Sequence, residues 1–322
     1  MKSRIYSSLF SLINRVVNKD YCASSEKLGS KQDLKYLLDS EFLQNKGKHA
    51  NKSLHLGDSV LLRTACEDCD TRDLSSLLAG EIGLDVVRVA GTAFHPELHC
   101  AVLAYLERQS CKPDIVFLGL NLRSFGPQMQ FHPDWYYEDT LKGLGWDPTY
   151  LVDSRSYDDI VVNVDENETR QMGEYLLIAN STPKTPRQAE QRQRIIHSVH
   201  YAFDIKASLR LSFVKRSCEI AKRAGFRLFA YITPINHVAF RNFASDWAMK
   251  RLLLSVAQIE SLLKREVGGG VAYGNYWDLC GQDSFFSPEI ANEHLNEHGR
   301  KMLVRSIVED SRIAFDLHKT MA

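Results

Sequence analysis

The sequence predicts a three-layer α/β/α fold around a central parallel sheet, and three observations carry that expectation. Strand-like and helix-like segments alternate between residues 53 and 121. The third strand-like segment is apolar on both faces, as strands covered by helices on two sides are. The 322 residues are 44% hydrophobic and 25% charged, close to the average for a globular protein, so a sizeable core is available.

The elements follow in order. Ser53 to Ser59 (SLHLGDS) reads as a short strand ending in a tight turn, and Leu74, Leu77 and Leu78 mark a helix after it. Leu84 to Gly91 is a second strand, rich in β-branched residues and closed by glycine. Leu98, Val102 and Leu106 recur about every four residues in a helix from His95 to Gln109. Pro113 to Asn121 is the third strand. Strand, helix, strand at this pace implies right-handed crossovers in a parallel sheet. Arg227 to Pro234 and Gly270 to Asp278 supply a fourth and a fifth strand, and a helix from about Asn296 to Phe315 follows.

The alternation stops between Ser124 and Gly225. An aromatic segment (Phe131, Trp135, Tyr136, Tyr137) and a long helical stretch from about Pro186 to Ala224 read as a mostly helical insertion, about 125–225, covering one end of the sheet. Residues 1–50 read as a polar leader with a short helical stretch from Leu34 to Phe42, and 51–322 as the α/β domain.

Lys+Arg and Asp+Glu are both 40, so no electrostatic footprint for nucleic acid or an anionic membrane is expected. Met1 to Asn18 mixes Leu9, Phe10, Leu12 and Ile13 with serines. That pattern predicts an amphipathic helix docked on the domain or else a peripheral membrane contact, and neither a signal peptide nor an integral membrane segment. The cytoplasm is the default expectation. Seven scattered cysteines fit a reducing compartment. Cys66 and Cys69 have the spacing of two metal ligands, but a closed zinc site needs four, and packing on one helix face is the plainer expectation. His197 and His200 receive the same reading, and no cofactor or metal is expected.

Ligands of open parallel sheets bind at the carboxyl ends of the strands. Ser59 (in Gly57-Asp58-Ser59), Gly91, Asn121 (in Gly119-Leu120-Asn121) and His294 (in His294-Leu295-Asn296, with Gly299) fall at strand or element ends in that order. A serine hydroxyl needs an imidazole to take its proton. A glycine admits close backbone approach, and an asparagine amide is a directed donor to a developing oxyanion. Read structurally, the same residues are a helix cap, two turn residues and a packed histidine.

These motifs resemble those of the SGNH (GDSL-type) hydrolase superfamily, over Ser53–Asn121 and Arg227–Gly299. The resemblance implies a flavodoxin-like α/β/α fold and hydrolysis or transfer of acyl esters. It implies Ser59 as nucleophile and His294 as general base. The oxyanion hole would be the backbone amides of Ser59 and Gly91 with the side chain of Asn121. Thr233-Pro234-Ile235-Asn236 looks like a segment of members that modify cell-envelope polysaccharides. The implied substrate is an acylated carbohydrate or related small ester, cleaved by an esterase or passed on by an O-acyltransferase.

The chain departs from the pattern at Ala291, where the family carries an aspartate, and at Leu122, where an acid is usual. Three alternatives follow: Asp283 or Glu289 reaches His294 from the preceding loop, a Ser–His dyad works without an acid, or the protein is an inactive, glycan-binding relative. Glu293, adjacent to His294, is expected to face elsewhere. Arg123 and Ser124 are expected to point toward the site mouth, with Arg123 holding a substrate carboxylate or phosphate or else bridging to the insertion. Trp135, Tyr136 and Tyr137 could stack on sugar rings or form the insertion's own core.

Overall fold

The structure is a computed structural model that describes residues 33–43, 52–109, 112–126, 137–147, 184–189, 200–201, 203, 205–244 and 246–316. Five parallel strands form its sheet: β1 (Lys52–Gly57), β2 (Asp85–Ala90), β3 (Ile115–Leu120), β4 (Arg227–Ile232) and β5 (Val271–Asn275). Their spatial order is β2-β1-β3-β4-β5, so the chain steps one way from β1 to β2 and the other way thereafter.

Right-handed crossovers then dictate which face each helix covers. The first crossover carries α3 (Leu74–Ile82), after the short α2 (Ser59–Leu62). With the final helix, α9 (Glu297–Phe315), α3 packs on the face presenting Ile115, Phe117, Phe229 and Tyr231. The later crossovers, α4 (Pro96–Arg108), α6 (Arg210–Ala224) and, after the short α7 (His237–Phe243), α8 (Asp246–Glu266), cover the opposite face against Leu54, Leu56, Val116, Leu118 and Leu228. Every residue of β3 is buried. The predicted three-layer α/β/α architecture is the one observed.

Three observations refine the organisation expected from the sequence. Helix α6 is the regular crossover between β3 and β4 and packs along α4, so the insertion ends well before residue 225. The stretch from Pro186 to Ala224 is broken by a 3₁₀ turn at Ile205–Ala207. Residues 33–43 are not a mere leader: α1 (Asp33–Leu38) and the turn after it bury Leu34, Leu38 and Phe42 in the core. The amphipathic helix expected at Met1–Asn18 lies outside the described residues, as do Phe131, Trp135, Tyr136 and His197. Tyr137, just before α5 (Glu138–Gly143), packs edge-on against Phe94 and donates to the Thr92 carbonyl. No helix among the described residues is long and apolar enough to cross a membrane.

Two buried histidines stand beneath the carboxyl ends of the strands. His55 on β1 bonds Tyr231 Oη (2.7 Å) and Ser75 Oγ (2.9 Å), and burial pushes it down to about 3. His99 donates from Nε2 to the Gly57 carbonyl (3.1 Å), and burial pushes it down to about 4. Both folded values lie below the ordinary 6.5, so the unfolded chain binds protons first as pH falls. Each histidine therefore costs stability on acidification, by about 1.4 kcal/mol per pH unit. Asp58, raised by burial to about 6, does the reverse: it holds a proton the unfolded chain releases, and offsets one histidine below pH 6. These three groups together give a loss of about 1.4 kcal/mol per pH unit between pH 6 and 4, and His237, also lowered by burial, adds in the same direction. Urea titrations at several pH values measure that slope, and His55→Asn should flatten it.

Candidate active site

The reversal of chain direction places β1 and β3 side by side at the switch point of the sheet, where ligands of this architecture bind. Leu56 pairs with Leu118 and Gly57 with Ala90. The residues that follow these strands, Asp58-Ser59, Gly91 and Asn121, are therefore neighbours along one sheet edge.

Ser59 opens α2, whose N-cap is Asp58: the carboxylate Oδ1 accepts from Val60 N at 2.9 Å. The extended backbone at Asp58 turns sharply into the helix and lifts Ser59 clear of the strand. Ser59 Oγ lies 3.2 Å from His294 Nε2, a contact between residues 235 apart in sequence. Gly91 follows β2 directly, and a Cβ there would meet the Phe94 ring at 2.4 Å.

His294 sits on a loop with little regular structure that is nonetheless firmly held. Its backbone N donates to Asn292 Oδ1 (2.9 Å), and its carbonyl accepts from Phe286 N (3.1 Å). Asn292 Nδ2 donates to the carbonyls of Ser287 and Ile290. Asn236, fully buried after β4, donates from Nδ2 to the carbonyls of Pro288 (2.8 Å) and Ile290 (3.0 Å), and from its backbone N to Asn292 O (2.8 Å). The loop then enters α9 at the Asn296 cap. A Cβ on Gly299 would come within 2.4 Å of the Ser284 carbonyl oxygen, so only glycine lets the helix start lie against this loop.

Asn121 is buried, and its amide orientation is fixed from both ends. Oδ1 accepts from Arg123 N (3.0 Å) and Nδ2 donates to Asp58 Oδ2 (2.7 Å). Burial raises Asp58, and the Glu293 charge adds to that; the Val60 and Asn121 donors and the Arg123 charge pull against it.

Arg123 and Ser124 do not face the site mouth. The 3₁₀ turn Leu122–Phe125 swings Arg123 inward, where its Nη1 bonds Glu293 Oε1 at 3.0 Å. The two side chains are 17% and 3% exposed. Tyr201, from the region read as an insertion, donates to the other Glu293 oxygen at 2.6 Å. The bridge expected between Arg123 and the insertion thus runs through Glu293. Burial alone would lower the Arg123 guanidinium, but the charge and hydrogen bond of Glu293 together with Tyr201 and Asp58 outweigh it; Tyr201 is raised well above its ordinary range by burial and then by Glu293. Ser124 is buried, and its carbonyl accepts from Arg210 Nη1 at 2.6 Å.

Ala291 is 1% exposed and belongs to the apolar core. Asp283 and Glu289 are exposed. Asp283 uses its backbone carbonyl to accept from Asn296 Nδ2 (2.7 Å). Among the described residues, neither carboxylate is hydrogen-bonded to His294.

Cys66 and Cys69 lie in an exposed turn, unbridged, not on the packed helix face expected of them. That turn is shaped by Asp68, which accepts from Glu297 N (3.0 Å) and from the fully buried Arg300 (2.6 Å). The segment leaving the Ser59 helix is thereby clamped to the helix that follows His294. Among the described residues no cluster of three or more His, Cys, Asp or Glu could hold a metal ion.

Sequence reasoning missed Asp58, Glu293 and Tyr201 as members of this cluster. Asp58 had a signal, since an acidic residue directly before a helix start is a favoured cap. Comparison with protein-family models and with curated proteins found no match to this chain.

Proposed function

We propose that this chain is a serine-dependent acyl-ester hydrolase of the SGNH type, acting on an acylated carbohydrate or a related ester. The observation that carries the reading is the 3.2 Å approach of Ser59 Oγ to His294 Nε2, beside Asn121 and Gly91 at the switch point of the sheet.

Ser59 Oγ attacks the ester carbonyl carbon while its proton passes to His294 Nε2. The carbonyl oxygen becomes an oxyanion facing the free hydrogen of the Asn121 amide and the Gly91 N–H, each such donor being worth roughly 3–4 kcal/mol in the transition state. The intermediate collapses, the C–O bond to the alcohol breaks, and His294 returns the proton to the leaving alkoxide. Water then attacks the acyl carbon and gives a proton to His294; the Ser59 Oγ–acyl bond breaks, the carboxylic acid leaves, and His294 returns the proton to Ser59 Oγ. A sugar hydroxyl in place of water would make the protein an O-acyltransferase on identical residues.

One observation favours a second reading, a catalytically inactive glycan-binding protein: the orienting-acid position holds a core alanine, and the two nearby acids are exposed. A fluorophosphonate probe separates the two readings. Stoichiometric labelling of Ser59 supports the hydrolase, and no labelling, with no turnover of activated esters, supports the inactive protein.

The exposure of the two loop acids gives a further expected outcome. Asp283→Asn and Glu289→Gln should each change kcat/KM for an activated ester by less than about threefold, the size of an ordinary surface substitution. A loss of several orders of magnitude in either, as removal of a triad acid causes, would identify that residue as the acid that orients His294.

A further inference from the structure

We propose that Asp58 is a positioning residue, which sets the donor geometry of the oxyanion hole by holding the Asn121 amide. The inference rests on the hydrolase reading above and adds a residue to it.

The geometry leaves Asn121 little freedom. Its Oδ1 is taken by Arg123 N (3.0 Å) and one Nδ2 hydrogen by Asp58 Oδ2 (2.7 Å). An amide has two N–H donors, so one hydrogen remains for the substrate oxygen. Reversing the amide would set its carbonyl against the Asp58 carboxylate and its NH2 against Arg123 N, with both contacts repulsive. The orientation is therefore imposed by the chain and needs no substrate to select it.

Asp58 suits this task because both of its neighbours donate: Val60 N to Oδ1 and Asn121 Nδ2 to Oδ2. A carboxylate accepts at both oxygens, whereas an amide or a protonated acid accepts well at one. A negative charge beside an oxyanion hole opposes the oxyanion. Arg123 lies in the same buried group and counters it. What remains is a fixed donor, and fixed donors outperform mobile ones because nothing has to reorganise as charge develops.

Asp58→Asn isolates this role. Asparagine caps a helix as well as aspartate does, so the Val60 bond and α2 survive. With Oδ1 kept on Val60 N, its NH2 takes the place of Oδ2 and opposes the Asn121 amide. With an activated ester, kcat should fall by about 10²-fold, as on losing an oxyanion-hole donor, with KM nearly unchanged. In an Asn121→Ala background the same substitution should cost less than about threefold, because its effect runs through that amide. Should Asp58→Asn not fold, Asp58→Ser carries the same comparison: it also caps, is too short to reach Asn121, and should lower kcat about tenfold in the wild-type background only.

Equal, additive losses in both backgrounds, or a rise in KM with kcat preserved, would overturn the positioning role while leaving the hydrolase reading intact. Wild-type protein is run alongside with a fluorophosphonate. If it is neither labelled nor active, both readings fall together.

Discussion

Ser59→Ala is expected to abolish turnover of an activated ester, by about 10⁶-fold where a serine hydrolase loses its nucleophile, and to abolish fluorophosphonate labelling. The protein should remain folded. The Ser59 side chain bonds His294 at the end of a four-residue helix, while Asp58 provides the cap, so the stability change should stay within about 0.5 kcal/mol. Paired activity and melting measurements on one preparation check both halves. Retained turnover in this variant would remove Ser59 from the mechanism whatever its distance to His294.

Arg123→Ala is expected to have the largest effect on stability. It strips the cation from a buried group that also holds Glu293, Tyr201 and Asp58. Glu293 would keep the Tyr201 hydroxyl and lose the guanidinium that pairs its charge. Removing one member of a buried pair costs about 3–5 kcal/mol, because the other charge stays desolvated. Urea unfolding measures this directly. Arg123→Ala with Glu293→Gln should recover part of the loss, since Glu293 then brings no charge to be left unpaired. A loss under about 1 kcal/mol in the single variant would show that the pair behaves like an exposed one.

The fold was legible where local pattern and tertiary role coincide. The unbroken apolar run of β3 is buried because helices cover both faces, and the glycine and asparagine that end β2 and β3 do so at the sheet edge. The sequence reading assigned no helix between Pro234 and Gly270, although α8 lies there. Its buried Trp247, Ala248, Leu252, Val256, Ile259 and Leu263 recur at helical spacing, so the signal existed. Ser59, Gly91, Asn121 and His294 could be ordered along the chain because each ends or follows a regular element. The directions of Arg123 and Glu293 were not legible, since both are set by a pairing between segments 170 residues apart. The turn at Cys66–Cys69 was hidden likewise: it forms around Asp68 and a buried Arg300 from the far end of the chain.

The separation of 235 positions between Ser59 and His294 also bears on how the protein is made. At about 5–20 residues per second, a ribosome takes roughly 12–47 seconds to travel that distance. Throughout that interval the nascent chain carries the serine without its base, while the sheet and most of its helices accumulate. Under the proposed mechanism, reactivity is switched on only when the segment bearing His294 has been made and closes over a scaffold already in place. A chain aborted anywhere before that segment would be inert however well it folded.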